Sequence, residues 1–131
     1  MKISYNKPPI YDAAHAVFKF DPNHPPCFTY GNTLYNPSRL TLDEFFMAHE
    51  EVHALQQTNP AEWWNSYLSN PEFRKEQEVE AYYVQYKLFC EKNSDRSRQK
   101  NYLRQLSSDL AHRYKLSISQ NTAKHLICYN I

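Results

Sequence analysis

Apolar residues in the last two thirds of the chain recur every three or four positions, which is the spacing of one helix face. The clearest case predicts a helix from about Leu42 to Gln57, ending before Asn59-Pro60. Its inward stripe comprises Leu42, Phe45, Phe46, His49, Val52, His53 and Gln56. Thr41 and Glu44 have the spacing of a capping box that would start this helix. The pattern therefore predicts a helix that buries two histidines beside apolar side chains.

Four further helices are predicted after this one, over residues 60–68, 71–90, 101–114 and 120–129. The first of them is rich in aromatic side chains and is predicted as a short helix or turn that covers the preceding helix. Asn70 and Pro71 have the character of an N-cap and a first helical position, so a long helix should follow them. Polar residues over 93–98 predict the next break in the chain.

The N-terminal part of the chain lacks helical spacing. Residues 1–14 are predicted to form an extended arm because they contain two consecutive prolines, which oppose a helix. Residues 15–20 have the composition of a strand. Gly31, the single glycine of the chain, lies between residues 27–30 and 33–36, which predict a hairpin or a sharply bent pair of strands.

Length and composition fit one globular domain. The chain has 131 residues, a mass of 15.6 kDa, 41% apolar residues and 15% aromatic residues, a composition that argues against disorder. A mean hydropathy of -0.81 and the lack of a long apolar run predict no membrane span. We therefore expect a single α+β domain over residues 1–131, mostly helical, with a small N-terminal β-sheet or hairpin.

Charge and cysteine content argue against several function classes. A net charge of +1 gives no reason to expect a nucleic-acid partner, and the basic residues of 96–104 are expected to be a solvated linker and helix start. Cys27, Cys90 and Cys128 are odd in number and have no C-x-x-C spacing, so neither a disulfide framework nor a cysteine zinc site is expected. No secretion signal is visible at the N-terminus, and we expect a cytoplasmic protein.

The strongest chemical signal is H-E-E-V-H at residues 49–53, the H-E-x-x-H arrangement of zinc peptidases. Because helical positions i and i+4 share a face, His49 and His53 can direct their ring nitrogens at one metal ion, and Glu50 can reach a water bound to it. A catalytic zinc normally has three protein ligands, so the chain must supply another donor. The candidates are the glutamates of the long predicted helix, Glu76, Glu78 and Glu80.

Over about residues 28–90 the sequence resembles small, single-domain gluzincins, metallopeptidases in which H-E-x-x-H on one helix is followed by a glutamate on a second helix. The resemblance rests on the polar strand at residues 30–35, on H-E-x-x-H followed by L-Q-Q at residues 55–57, and on E-x-E-A at residues 78–81. It implies a zincin-like fold with Glu78 as the third zinc ligand. Periodicity by itself does not choose between Glu78, Glu80 and Glu76.

The chain departs from the gluzincin pattern at Tyr82, where many such enzymes carry Asp or Asn to hydrogen-bond a ligand histidine. A set of two imidazoles and one carboxylate favours Zn²⁺, although iron or nickel could occupy the site in vitro. The expected reaction is hydrolysis of a peptide or protein substrate by zinc-activated water, with Glu50 as general base. The alternative is a non-catalytic zincin-fold module that binds a peptide or partner, against which the intact Glu50 argues.

Other residues have more than one interpretation. Residues 32–35 can pair with an extended peptide by strand addition or form an ordinary edge strand. Tyr82 and Tyr114 are candidates for stabilising an oxyanion. Trp63 and Trp64 are expected to pack in the core, with the wall of a substrate cleft as the alternative. The remaining histidines are expected to be structural or surface residues: His15, His24, His112 and His125.

Overall fold

Helices make up most of the protein, as the apolar spacing predicted. The computed structural model describes residues 1–129. Within them lie six helices, α1 (Tyr11–Phe18), α2 (Glu44–Gln56), α3 (Pro60–Ser69), α4 (Pro71–Lys92), α5 (Arg96–Arg113) and α6 (Gln120–Tyr129). The same residues form three strands, β1 (Lys2–Ser4), β2 (Phe28–Tyr30) and β3 (Thr33–Tyr35). The predicted α+β class, mostly helical with a small N-terminal sheet, is confirmed.

Polar side chains before the helices fix where the helices begin. Asn70 accepts hydrogen bonds from the first backbone amides of α4, as predicted. Asp43 caps α2 by accepting from the backbone N–H of Phe46, so the predicted capping box at Thr41 is not used and the helix begins at Glu44. Asp95 caps α5 in the same way, and this helix therefore begins before the predicted residue 101.

The prediction of an extended arm over residues 1–14 was wrong in part and the prediction of a strand over residues 15–20 was wrong, because α1 occupies much of this segment. Of the predicted arm, residues 2–4 are extended, as β1. Tyr11, Ala14 and Phe18 share one face of α1 and pack against the aromatic side chains of α3. This burial outweighs the strand propensity of the local sequence.

The three strands form a sheet in the order β1-β3-β2. Strands β2 and β3 form the predicted antiparallel hairpin, and Gly31 has a positive φ of 61° in its turn, a conformation that glycine adopts without strain. Strand β1 pairs in parallel with the other side of β3. Residues 33–35 are therefore the central strand, and the prediction that they form an edge or accept a substrate strand was wrong.

Two apolar clusters fill the interior. One lies between α4, α5 and α6, and the other lies between α1, α3 and β2. Tyr114 packs against both clusters. Arg74, which is 3% exposed, donates hydrogen bonds to the carbonyls of Tyr67 and Tyr114 and so ties α3, α4 and the end of α5 together. Along this framework α2 packs against α4.

Among residues 1–129, no helix has both the length and the apolar character that a membrane crossing requires.

Candidate metal centre

The packing of α2 against α4 brings three predicted site residues together. His49 and His53 lie one turn apart on α2, and their Nε2 atoms are 3.2 Å from each other. Oε1 of Glu78, which comes from α4, lies 3.1 Å from the Nε2 atom of His49 and 3.3 Å from that of His53. All three side chains are buried. Three electron-pair donors therefore converge on one point.

The spacing of these donor atoms fits a zinc ion. With zinc–ligand distances of about 2.0–2.1 Å and tetrahedral angles, donor atoms around one ion lie about 3.3 Å from each other. The three observed separations, from 3.1 to 3.3 Å, are close to this value. Two imidazoles and a carboxylate are also donors that zinc accepts. The residues present thus fit the ion that the sequence motif implies.

A hydrogen bond behind His53 sets its tautomer. Its Nδ1 atom lies 2.8 Å from Oε1 of Gln56. The amide nitrogen of Gln56 donates to the carbonyl of Gln77, which leaves the amide oxygen of Gln56 facing the imidazole. Nδ1 of His53 is therefore the donor, and Nε2 can present its lone pair to the point where the three groups converge.

His49 is oriented in the same manner by a residue of α4. Its Nδ1 atom lies 2.9 Å from Oε1 of Gln85, whose amide nitrogen donates to the hydroxyl of Tyr102. In many gluzincins an Asp or Asn at the position of Tyr82 makes this hydrogen bond to a ligand histidine. In this chain Gln85 makes it instead. Sequence reasoning did not assign Gln85 this role, although its position two turns after Glu78 put both side chains on one face of the helix.

The charges around the centre favour a cation. Burial by itself would lower the pKa of His53, but the charge of Glu78, the hydrogen bond to it and the charge of Glu50 raise that pKa to about 9. Burial would raise the pKa of Glu78, but His53 and His49 hold it well below its usual range. The two buried carboxylates therefore make this point attractive to positive charge.

Glu76 and Glu80, the alternative third ligands, lie elsewhere on α4. Both side chains are exposed, whereas Glu78 is 3% exposed and faces α2. Glu80 accepts a hydrogen bond from the amide of Gln56, at 3.3 Å. Of the three candidates, the structure thus brings Glu78 to the imidazoles.

The predicted general base, Glu50, lies next to this cluster. A carboxylate oxygen of Glu50 and one ring nitrogen each from His49 and His53 lie within 4.8 Å of one another. The carboxylate of Glu50 is buried, and its Oε2 atom accepts a hydrogen bond of 2.6 Å from the hydroxyl of Thr29. Sequence reasoning missed Thr29, because its role depends on how β2 packs against α2.

Tyr67 of α3 is a second residue that sequence reasoning missed. Its hydroxyl donates a hydrogen bond of 2.5 Å to Oε2 of Glu78. Burial and the neighbouring charge of Glu78 raise the pKa of Tyr67 well above its usual value, so the hydroxyl keeps its proton. Tyr67 therefore holds Oε2 of Glu78, which also lies 3.2 Å from the Nε2 atom of His53, while Oε1 lies close to both imidazoles.

Replacing Tyr67 with Phe is expected to weaken zinc binding by about 10–100-fold, the usual effect of removing a hydrogen bond that orients a ligand. Competition with a chromophoric chelator measures this affinity. Tyr11→Phe is the matched control, because the hydroxyl of Tyr11 is buried and has no hydrogen-bond partner among residues 1–129. Equal zinc affinity in Tyr67→Phe and Tyr11→Phe would show that the Tyr67 hydroxyl does not orient Glu78.

A cavity of about 540 Å³ opens over the cluster. His49, Glu50, His53 and Glu78 form part of its lining. A large part of the wall is aromatic and comprises Phe18, Phe20, Phe28, Trp63, Trp64 and Tyr67. Both tryptophans are buried core residues, as predicted, and they also line this cavity. That the cavity holds a substrate stays a prediction. The candidate metal centre is thus reached through a largely apolar pocket.

The two tyrosines named as oxyanion candidates occupy different places. The ring of Tyr82 packs edge-on against His49, with ring centroids 4.5 Å apart. Its hydroxyl lies 2.7 Å from the hydroxyl of Tyr114, which lines the cavity. Tyr82 is therefore a buried support, and Tyr114 is the one of the pair that reaches the pocket wall.

The remaining histidines lie away from the three converging donors. His15 is half-buried against Phe20, and His24, His112 and His125 are exposed. His24 is exposed and also lines the same cavity. The prediction of structural or surface roles agrees with these positions.

All three cysteines are unpaired and half-buried. Cys27 lines the cavity and donates to Oδ1 of Asn36 over 3.4 Å. Burial, and after it the charge of Glu50, raises the pKa of the Cys27 thiol to about 12. This cysteine therefore stays protonated near neutral pH and is a poor metal ligand in that form.

Comparison with known proteins finds no relative: no family model, no curated protein and no solved structure matches the chain. The candidate centre therefore rests on its own geometry, and the gluzincin resemblance is one of motifs.

Proposed function

We propose that the protein is a zinc-dependent peptidase of gluzincin type. The observation that supports this best is the convergence of His49, His53 and Glu78 at 3.1–3.3 Å, with the carboxylate of Glu50 beside them on the wall of a cavity. Three protein donors leave a fourth position open on a tetrahedral ion, which is the pattern of catalytic zinc sites.

His49, His53 and Glu78 would hold the zinc ion. When bound, zinc supplies Lewis acidity, which lowers the pKa of a water molecule toward neutrality and polarises a carbonyl group. The rest of the chemistry belongs to the side chains of the chain. Gln56 and Gln85 accept hydrogen bonds from the Nδ1 atoms of the imidazoles and so leave each Nε2 atom with a free lone pair, and Tyr67 holds the carboxylate of Glu78.

Glu50 acts as the general base and then as the general acid. Its carboxylate accepts a proton from the attacking water and later delivers that proton to the nitrogen of the leaving amine. Thr29 holds Oε2 of Glu50, so the proton transfer falls to Oε1. The hydrogen bond keeps the carboxylate in place without taking away its basic oxygen.

The hydroxyl of Tyr114 supports the reaction from the cavity wall. Negative charge develops on the carbonyl oxygen of the peptide during attack, and a preorganised donor stabilises that charge. Tyr82 fixes the position of the Tyr114 hydroxyl through the 2.7 Å bond between them. Burial and the charge of Glu78 raise the pKa of Tyr114 well above its usual value, so the hydroxyl remains a donor.

The test is cleavage of a peptide library by the zinc-loaded protein, followed by mass spectrometry. We expect about one zinc per chain and peptide cleavage that a chelator abolishes. Added zinc should restore it, whereas added magnesium should not, because magnesium is a poor partner for imidazole ligands. Zinc binding with no cleavage of any peptide would favour the non-catalytic binding module, and a failure to bind zinc would contradict the peptidase.

A further inference from the structure

We propose that the substrate is the carboxyl-terminal end of a peptide, with a large apolar last residue in the aromatic cavity and its free carboxylate on Arg113. This inference rests on the proposed hydrolytic function and names its substrate class. Three observations support it. The outer edge of β2 is already occupied, the cavity wall is rich in aromatic side chains, and the described cavity lining contains one guanidinium group.

The sheet offers little main-chain pairing to an extended substrate beside the metal centre. Strand β3 is central, so β2 is the strand next to the cavity that has an outer edge. The side-chain amide of Gln57 donates to the carbonyl of Thr29 over 2.8 Å and accepts from the N–H of Gly31 over 2.7 Å. Trp64 donates to the same carbonyl over 2.9 Å.

Gln57 thus makes the two bonds that a neighbouring strand would make at this position, and its side chain is buried. A peptide that bound by strand addition would have to break these bonds and leave a buried amide unpaired, which is costly. Substrate recognition must therefore depend on side-chain burial and on end groups. This favours a chain terminus over the middle of an extended chain.

The cavity supplies the side-chain burial. Its volume of about 540 Å³ lies within the range of small-ligand pockets, about 300–1,000 Å³. Phe20, Phe28 and Trp64 contribute ring surface to a wall that is continuous with the apolar cluster of α1, α3 and β2. Burial of an aromatic or large aliphatic side chain in this cavity therefore gains more free energy than burial of a small or charged side chain.

Arg113 supplies the end-group recognition. Of the described residues that line the cavity, it is the one lysine or arginine, and it lies beside Tyr114 at the end of α5. Its side chain is exposed and forms no ion pair within residues 1–129. A guanidinium binds a carboxylate with two parallel hydrogen bonds, and this geometry suits a terminal carboxylate.

The reaction is then removal of the last residue. Water oxygen bonds to the carbonyl carbon of the last peptide bond, and the C–N bond breaks. Glu50 transfers the proton of that water to the departing nitrogen. The products are a peptide shortened by one residue and a free amino acid with a large apolar side chain.

The experiment compares two probes, acetyl-Ala-Ala-Phe with a free carboxylate and the same peptide as its carboxyl-terminal amide. The zinc-loaded protein should cleave the free acid at least tenfold faster, judged by kcat/KM. Arg113→Gln should lower this value by about 10–100-fold for the acid and change it little for the amide, because a charged hydrogen bond is lost only with the acid. Arg104→Gln, which makes the same change on α5 at an exposed position outside the cavity lining, is the matched control and should keep the preference.

A binding measurement keeps this inference separate from the proposed hydrolysis. Zinc-loaded Glu50→Gln protein should bind the free acid more tightly than the amide in calorimetry, and Arg113→Gln added to it should remove the difference. Equal binding of acid and amide would overturn the inference even if hydrolysis fails for both. Equal cleavage of both probes, or a preference unchanged by Arg113→Gln, would overturn it while leaving a zinc peptidase in place.

Discussion

Glutamine in place of Glu50 is expected to lower kcat by about 10²–10⁴-fold while zinc stays bound in full, because general acid–base catalysis contributes that much. The amide of glutamine has the shape of the carboxylate, and its oxygen can still accept the bond that Thr29 donates to Glu50. It cannot take a proton from water near neutral pH. The zinc donors, His49, His53 and Glu78, are untouched by the change. Steady-state kinetics and metal analysis of the same preparation give both quantities.

Glu51 provides the matched control for that change. It is the next residue of α2 and carries the same carboxylate, but its side chain is exposed and is not part of the cavity lining. Glu51→Gln should retain the rate of the unaltered protein within about twofold, since surface substitutions rarely act at a distance. A Glu50→Gln protein that cleaves peptides as fast as Glu51→Gln would refute the role proposed for Glu50.

The helices that form the candidate centre could be predicted from the sequence because their signals are local. The apolar stripe of α2 depends on the spacing of its own residues, and the start of α4 depends on Asn70 and Pro71. The capping side chain of α2 was assigned to the wrong residue, Thr41, with little effect on where the helix lies. Local patterns therefore located the two helices and the two histidines.

The third donor could not be chosen from periodicity. Glu78 and Glu80 are two residues apart, so they lie about 160° from each other around α4 if each residue turns the helix by about 100°. Which of them faces α2 depends on how the whole helix is rotated in the fold. That rotation is set by packing against α5 and α6 as well as α2. The motif resemblance named Glu78, and packing places it beside the imidazoles.

Residues that orient the zinc donors and the general base were missed for a related reason. Thr29, Tyr67 and Gln85 come from three different elements, β2, α3 and α4, and their roles appear when those elements meet. Residues 11–18 show the same effect on secondary structure, because contacts with α3 decide between helix and strand there. A hydrogen bond between two secondary-structure elements produces no periodic pattern in the sequence of either element.

Glutamine in place of Glu78 is expected to reduce zinc affinity by more than 100-fold, so that dialysis removes the metal. The change replaces an anionic donor with a neutral amide at a buried position. An amide has one oxygen, so if that oxygen keeps the bond from Tyr67, an NH2 group that cannot bind zinc is left facing the imidazoles. A site with two imidazoles and no carboxylate is a weak zinc site, because catalytic zinc normally has three protein ligands. Metal content after dialysis and a competition titration measure the loss.

Glu76→Gln and Glu80→Gln are the matched controls for this loss, since each makes the same change on the same helix at an exposed position. Glu76→Gln should leave zinc affinity unchanged. Glu80→Gln should weaken it less than tenfold, because Gln56, which orients His53, keeps its bond to the carbonyl of Gln77. If Glu80→Gln releases zinc and Glu78→Gln does not, the two helices pack differently in the metal-bound protein and the third ligand is Glu80.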